Sequence, residues 1–303
     1  MLFLFVLLLS LTGMLKAQVT TAGMSGKVMA DEESVIGATV VAVHEPSGTS
    51  YGTVTNVDGR FSLQGMRSGG PYKVTVSYIG YQTAIYTDIQ LQLGETYSLN
   101  VTLHEASELL GEITITASKS KFSAEKTGAT TNISSEQLTT LPSINRSISD
   151  FTRISPYASG NSFGGRDGRS NTFTVDGANL NNNFGLSSGL PGGGNPISLD
   201  AIDEVQVVIA PYDVRQANFI GAGINAITKS GTNAYRGSAY MYFNNEVMRG
   251  NKIGDTDFGV RAEESKTVYG ATFGGPIIKD KLFFFANVEY EKSPQQVITW
   301  RAA

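Results

Sequence analysis

The stretch from Asn161 to Asn233 limits what this chain can fold into more than any other. Its first half, NSFGGRDGRSNTFTVDGANLNNN, sets glycine and asparagine around one short strand-like run, Thr172–Asp176. Its second half places two apolar-alternating runs, Glu204–Ile209 and Gly223–Thr228, on either side of a polar segment carrying Asp213, Arg215 and Gln216. Between Gly160 and Gly231 lie 13 of the chain's 34 glycines, too many for a helical or plain sheet core. Glycine and asparagine accept positive φ and close backbone approach, so the composition predicts ordered loops on a small sheet. So little apolar mass is hard to stabilise alone, which implies that something surrounds it.

The residues that follow suggest what. Along 235–244, Tyr235, Gly237, Ala239, Met241 and Phe243 fall on one face of a strand, and Arg236, Ser238, Tyr240, Tyr242 and Asn244 on the other. Along 281–290 the apolar set is Leu282, Phe284, Ala286, Val288 and Tyr290, with Asn287 and Glu289 opposite; between the two, 267–273 carries Tyr269, Ala271 and Phe273 on one side. Period-two runs of about ten residues match tilted strands that cross a bilayer. A long charged connection, NEVMRGNKIGDTDFGVRAEES, joins the first pair and the short GGPIIKDK joins the second. Membrane barrels show that asymmetry, with long outer loops and short inner turns. Three strands cannot close a barrel, and an open edge is not viable in lipid, so the expectation is an N-terminal fragment of a longer protein.

Upstream, residues 24–103 read as a small all-β unit. Seven short runs recur, Met24–Val28, Ala38–His44, Ser50–Thr55, Arg60–Leu63, Tyr72–Tyr78, Thr83–Ile89 and Tyr97–Leu103, separated by turn signals such as Asp58-Gly59 and Gly69-Gly70-Pro71. That pattern predicts a Greek-key sandwich. His44 and His104, the only histidines, sit at strand ends and are expected as surface or capping residues. The opening run, MLFLFVLLLSLTGMLKAQ, reads as a secretory signal cleaved after Ala17, although it lacks a basic leader; an anchor needs a longer uninterrupted span.

Between these regions lies EASELLGEITITASKS. Its β-branched core, Glu112–Ala117, has no partner strand nearby in the sequence and suits addition to another protein's sheet edge. A plain linker and a last strand of the sandwich remain alternative readings. Ser134 with Gln137 forms a capping box that opens a helix ending before Pro142, and Ile144, Ile148, Phe151 and Ile154 predict a second amphipathic helix.

Taken together, GGRDGRSNTFTVDGAN, PISLDAIDEVQV and APYDVRQANFIGAGINAITKSGTN resemble the plug of TonB-dependent outer-membrane receptors, the Oar-like group among them, over Ser107 to the end. VTNVDGRFSL followed by YKVTVSYIGYQ resembles the carboxypeptidase regulatory-like domain, an accessory module without peptidase chemistry. The resemblance implies a mainly β chain: a transthyretin-like β-sandwich, an α+β plug, then the first strands of an incomplete outer-membrane β-barrel. The expected divisions are signal 1–17, sandwich 23–104, linker 105–122, plug 123–231 and barrel strands 232–303. It further implies that Glu112, Ile113, Thr114, Ile115, Thr116 and Ala117 form a TonB box for TonB's periplasmic domain. Asn161, Arg166, Asp167, Arg169, Asn179, Asn181, Asn182 and Asn183 would line a ligand-facing apex. The charged Arg166, Asp167 and Arg169 would also reach the barrel's inner wall, with Arg215 a further plug–barrel contact. The expected partners are TonB, outer-membrane lipid and an extracellular ligand of unread identity.

Other classes fare worse. A net charge of -4 without a basic block argues against nucleic acid. Zero cysteines and two unpaired histidines leave no metal-ligand spacing. Asp176-Gly177…Asn179…Asn181 misses the EF-hand order, and GGRDGRS lacks the lysine of a phosphate loop. No cofactor and no enzymatic activity are expected. The competing reading is a surface adhesin or carbohydrate-binding protein without active transport.

Overall fold

The structure, a computed structural model, describes residues 19–30, 33–105, 113–116, 129–143, 146–181, 197–211, 216, 220–257, 259 and 265–294. Residues 1–229 and 230–303 form two compact units.

The first unit begins with two five-stranded sheets. One holds β1 (Ala22–Ala30), β2 (Glu33–Ser34), β5 (Arg60–Met66), β8 (Thr96–Ser98) and β9 (Val101–Leu103); the other holds β3 (Thr39–His44), β4 (Thr49–Val54), β6 (Gly69–Ser77), β7 (Ala84–Leu91) and β10 (Ile113–Thr116). Alternate residues of both sheets fill one core, including Met24, Val28, Val40, Ala42, Phe61, Leu63, Tyr72, Val74, Val76, Ile89, Val101 and Leu103. Where a single strand over Tyr97–Leu103 is expected, two form, interrupted at Leu99-Asn100, where the chain passes close to Gly26. There Ser25 O accepts from Leu99 N, and a Cβ on Gly26 would lie 1.8 Å from Leu99 O. The Asp58-Gly59 turn forms as expected: Gly59 adopts φ +70°, and Asn56 Oδ1 accepts from Asp58 N and Arg60 N.

His44 departs from expectation. It is buried, its ring lies 5.0 Å from that of Tyr72, and its Nδ1 is 2.6 Å from Ser47 Oγ. Burial first, and the Arg67 charge second, lower its pKa to about 4. His44 falls at the in-pointing end of an alternating strand, so the sheet's period of two outweighs its polarity.

The plug sheet follows in the order β11 (Ala129–Ser134), β16 (Ile202–Ala210), β17 (Gly223–Thr228), β14 (Thr172–Val175), β15 (Ala178–Asn179). The runs singled out in the sequence are thus β14, β16 and β17, with β16 antiparallel to β17 and β14 parallel to it. A two-residue pair, β12 (Ala158–Ser159) with β13 (Ser162–Phe163), lies apart. Ser134 and Gln137 form the expected capping box of helix α1 (Ser135–Thr140). The second helix is shorter than its periodicity predicts. Helix α2 spans Ile148–Thr152; Ile148 and Phe151 are buried, but Ile154 lies beyond its end and is exposed. Ile133, Leu138, Ile148, Phe151, Phe163, Phe173, Val205, Val207 and Ala226 share the plug core.

The second unit is an antiparallel sheet of β18 (Arg236–Asn245), β21 (Ser265–Ile278) and β22 (Leu282–Lys292). The long connection contains a 3-10 turn and a small hairpin, β19 (Lys252–Ile253) with β20 (Thr256–Asp257). Register aligns Met241, Tyr269 and Tyr290 in one row across the three strands, and Ala239, Ala271 and Val288 in another. Met241, Phe243, Phe273, Val288 and Tyr290 are all exposed on that apolar face. At one end Tyr235 stacks on Phe273, whose ring also meets Phe284, and Tyr235 Oη donates to Pro276 O. The opposite face is polar: Tyr240 Oη donates to Glu289 at 2.6 Å, and Ser238 Oγ lies 2.6 Å from Thr272 Oγ1. Tyr240 covers Gly270, where a Cβ would sit 2.0 Å from the ring. An apolar outer face, an aromatic end and a polar inner face are what a barrel wall requires.

Candidate functional site

The residues that join sandwich to plug are the most specific feature of the first unit. On β16, Val205 and Val207 point into the plug core, so Glu204, Gln206 and Val208 must point the other way. These are nevertheless buried, because the turn after β7 packs on them. Glu204 accepts from Leu93 N with both carboxylate oxygens, at 3.1 and 3.1 Å. Gln206 Nε2 and Asn132 Nδ2 both donate to Leu93 O. Asn132 stands opposite Gln206 in the β11–β16 ladder, which brings the two carboxamides to one carbonyl. One residue of the sandwich, Leu93, is therefore held on both its N–H and its C=O by side chains of the neighbouring plug strands β11 and β16. Next along, Asn225 Nδ2 of β17 donates to Val19 O at 2.6 Å, while its Oδ1 accepts from Thr174 Oγ1.

Gly94 permits this approach. It adopts φ +70°, and a Cβ there would meet Gln206 Nε2 at 2.8 Å. The electrostatics are those of a dry contact. Burial, with lesser contributions from Asp203 and Glu95, pushes the Glu204 carboxyl from 4.5 up to about 7, against the bonds from Leu93 N–H and Asn132. Burial also raises Asp203, opposed by the Arg67 and Lys229 charges. Asn132 Oδ1 and Gln206 Oε1 are buried without a hydrogen-bond partner among the described residues.

The second feature corrects an expectation. The β-branched segment between sandwich and plug has a partner: β10 pairs in parallel with β7, Ile113 opposite Ala84 through Thr116 opposite Thr87. The sequence hides this because a parallel partner sits far along the chain and leaves no hairpin signal. Glu112 and Ala117 lie outside the described residues, as do Asn182, Asn183 and Arg215.

The apex residues divide. Asn161 uses its backbone oxygen to accept from Asn171 Nδ2, and Asn171 Oδ1 accepts from Ala222 N. Asn181 is tied back to β14: its Oδ1 accepts from Phe173 N at 2.6 Å and its Nδ2 donates to Thr172 Oγ1. Asn179 Oδ1 accepts from Asn181 N. These asparagines build the loop. Asp167 caps a 3-10 turn by accepting from Arg169 N and forms an exposed pair with the Arg169 side chain at 3.2 Å; Arg166 is exposed nearby. Sequence reasoning missed Asn132, Glu204, Gln206, Asn225 and Asn171; the polar positions alternating with valine in DEVQVV were the available signal.

Comparison with known proteins places these features. The carboxypeptidase regulatory-like domain family matches residues 23–104, and the outer membrane beta barrel domain family matches residues 227–300. The TonB-dependent transporter Oar of Myxococcus xanthus is 26% identical over 252 residues, which cover 77% of this chain and 23% of that protein. The chain thus spans under a quarter of that relative's length. Among solved structures, the siderophore receptor PirA from Acinetobacter baumannii is 23% identical with a TM-score of 0.42, covering 55% of this chain and 24% of that one. A cohesin–X-dockerin complex from Acetivibrio cellulolyticus is 20% identical with a TM-score of 0.22, covering 27% and 56%.

Proposed function

We infer, from the chain's similarity to a TonB-dependent transporter and the match of its last residues to an outer membrane beta barrel domain, that it forms the periplasm-facing front of an energised transporter of the outer membrane. The sandwich and the segment 112–117 face the periplasm, and the plug fills a barrel whose first wall strands are β18, β21 and β22. TonB adds a strand to the segment 112–117 and pulls, and the plug shifts to let a ligand pass. Asn161 to Asn183 form the plug's outward apex, and Arg215 contacts the wall.

One observation carries this reading: a strand-forming segment, Ile113–Thr116, comes between the sandwich and the plug in the chain and forms the terminal strand of a sandwich sheet. Its backbone is extended and its outer edge has no partner among the described residues. The lipid-type face of β18–β21–β22 supports the same placement. The relative named above is a transporter, and no bond-making chemistry is assigned.

Deleting residues 112–117 from the full-length receptor tests it. The expected result is loss of binding to the purified periplasmic domain of TonB, with the receptor still inserted in the outer membrane. Undiminished TonB binding in that deletion removes the segment from the mechanism.

A further inference from the structure

β7 stands between two contacts. Its flank carries β10 in a parallel ladder from Ala84 to Thr87. Its C-terminal end runs through Leu91 into the Leu93-Gly94 turn, which Asn132, Glu204 and Gln206 of the plug hold by the backbone N–H and C=O of Leu93. In the sheet order β10-β7-β6-β3-β4, β10 is terminal, so among the described residues only one of its two edges is used.

We propose that the β7 edge of the sandwich is the docking site for this chain's own Ile113–Thr116, that it presents the segment's free edge to an incoming TonB strand, and that β7 passes the pull into the plug. The proposal rests on the TonB reading above. A four-residue strand has little order alone, and ordering each residue is entropically costly. Docked on β7, it extends an existing sheet, and the incoming strand lengthens a ladder instead of starting one. Occlusion is the opposite arrangement, and it would require the free edge to be covered.

The pull then has two routes. One is covalent, through residues 117–128 to β11, which lies at the edge of the plug sheet. The other runs from β10 to β7, along β7 to Leu93, and across to Asn132 on β11 and Glu204 and Gln206 on β16. The second route loads β11 and β16 together, so β11 is not simply peeled away from its neighbour. The grip is buried, where water does not compete for its hydrogen bonds.

Residues 1–303 contain no cysteine, so once any cysteine elsewhere in the full-length receptor is replaced by serine, a single designed bridge reads the docking without background. In full-length receptor, the pair Thr87→Cys and Thr116→Cys is expected to form a disulfide on mild oxidation, and Thr87→Cys with Thr114→Cys, displaced by two positions, is not. The bridged receptor should bind the purified TonB periplasmic domain with Kd within about threefold of its reduced form. Failure to bridge, or a loss of about tenfold or more that reductant reverses, overturns presentation. Gly94→Val breaks the grip from the sandwich side, and Gln206→Ala breaks it from the plug side should the first variant fold poorly. Both should leave TonB binding intact and, when the receptor is pulled through bound TonB in a single-molecule trap, move the plug's first extension to lower force. An unchanged force in Gln206→Ala overturns the second route. Wild-type receptor that binds no TonB domain refutes the transporter reading, while the bridge in the double-cysteine variant still reports the docking.

Discussion

Glu204 gives the sharpest quantitative test, because its titration belongs to the contact between sandwich and plug. Its pKa stands at about 7 against an ordinary 4.5. A carboxyl raised on folding holds its proton in the folded state while the unfolded chain has already released it. Stability is therefore greatest below about pH 4.5, falls as pH rises towards 7, and levels off above that. A shift of this size corresponds to about 3 kcal/mol across the window. Glu204→Gln keeps an oxygen for Leu93 N–H and removes the titration. Hydrogen exchange of Leu93 and of the β16 amides, corrected for intrinsic rates, is the assay. In wild type, protection at pH 5 should exceed that at pH 8 by about a hundredfold. In Glu204→Gln the difference should collapse to a smaller one of the same sign, left by Asp203, and Asp203→Asn should remove that remainder. Protection that is flat in wild type, or a full slope retained in Glu204→Gln, refutes the reasoning.

Three further outcomes follow from particular contacts. Gly26→Ala drives a Cβ against Leu99 O and should destabilise the sandwich by about 3 kcal/mol, measured by chemical denaturation. His44 titrates in the opposite sense to Glu204: its pKa is lowered from 6.5 to about 4, so sandwich stability should fall as pH drops through that window and stay flat above pH 7, a dependence that His44→Phe abolishes. Asn181→Ala strips Phe173 N of its acceptor and should loosen residues 172–181 by about 1–2 kcal/mol, read by exchange at Phe173.

Much of the architecture is legible in the sequence. The alternation in 235–244 and 281–290 yields β18 and β22 nearly residue for residue, and Ser134 with Gln137 marks the start of α1. Such signals are local, carried by neighbours within a turn or along a strand. What escapes is non-local. Glu204 and Gln206 alternate with valines as solvent-facing residues do, yet Leu93, more than a hundred positions upstream, covers them. Ile113–Thr116 has no adjacent partner because its mate, Ala84–Thr87, pairs in parallel across an intervening sheet-forming stretch. Asn181, expected on the ligand side, is used to hold β14, since a carboxamide serves a loop's backbone as well as it serves a ligand.

The central claim is that β18, β21 and β22 are wall strands that turn one face to lipid. Single cysteines at successive positions of β18 in full-length receptor, reconstituted with brominated lipid, test it most directly. Fluorophores at Ala239, Met241 and Phe243 should be quenched by the lipid, while those at Ser238, Tyr240 and Tyr242 should not. Equal quenching at odd and even positions, or equal labelling of both sets by a membrane-impermeant maleimide, would contradict the account.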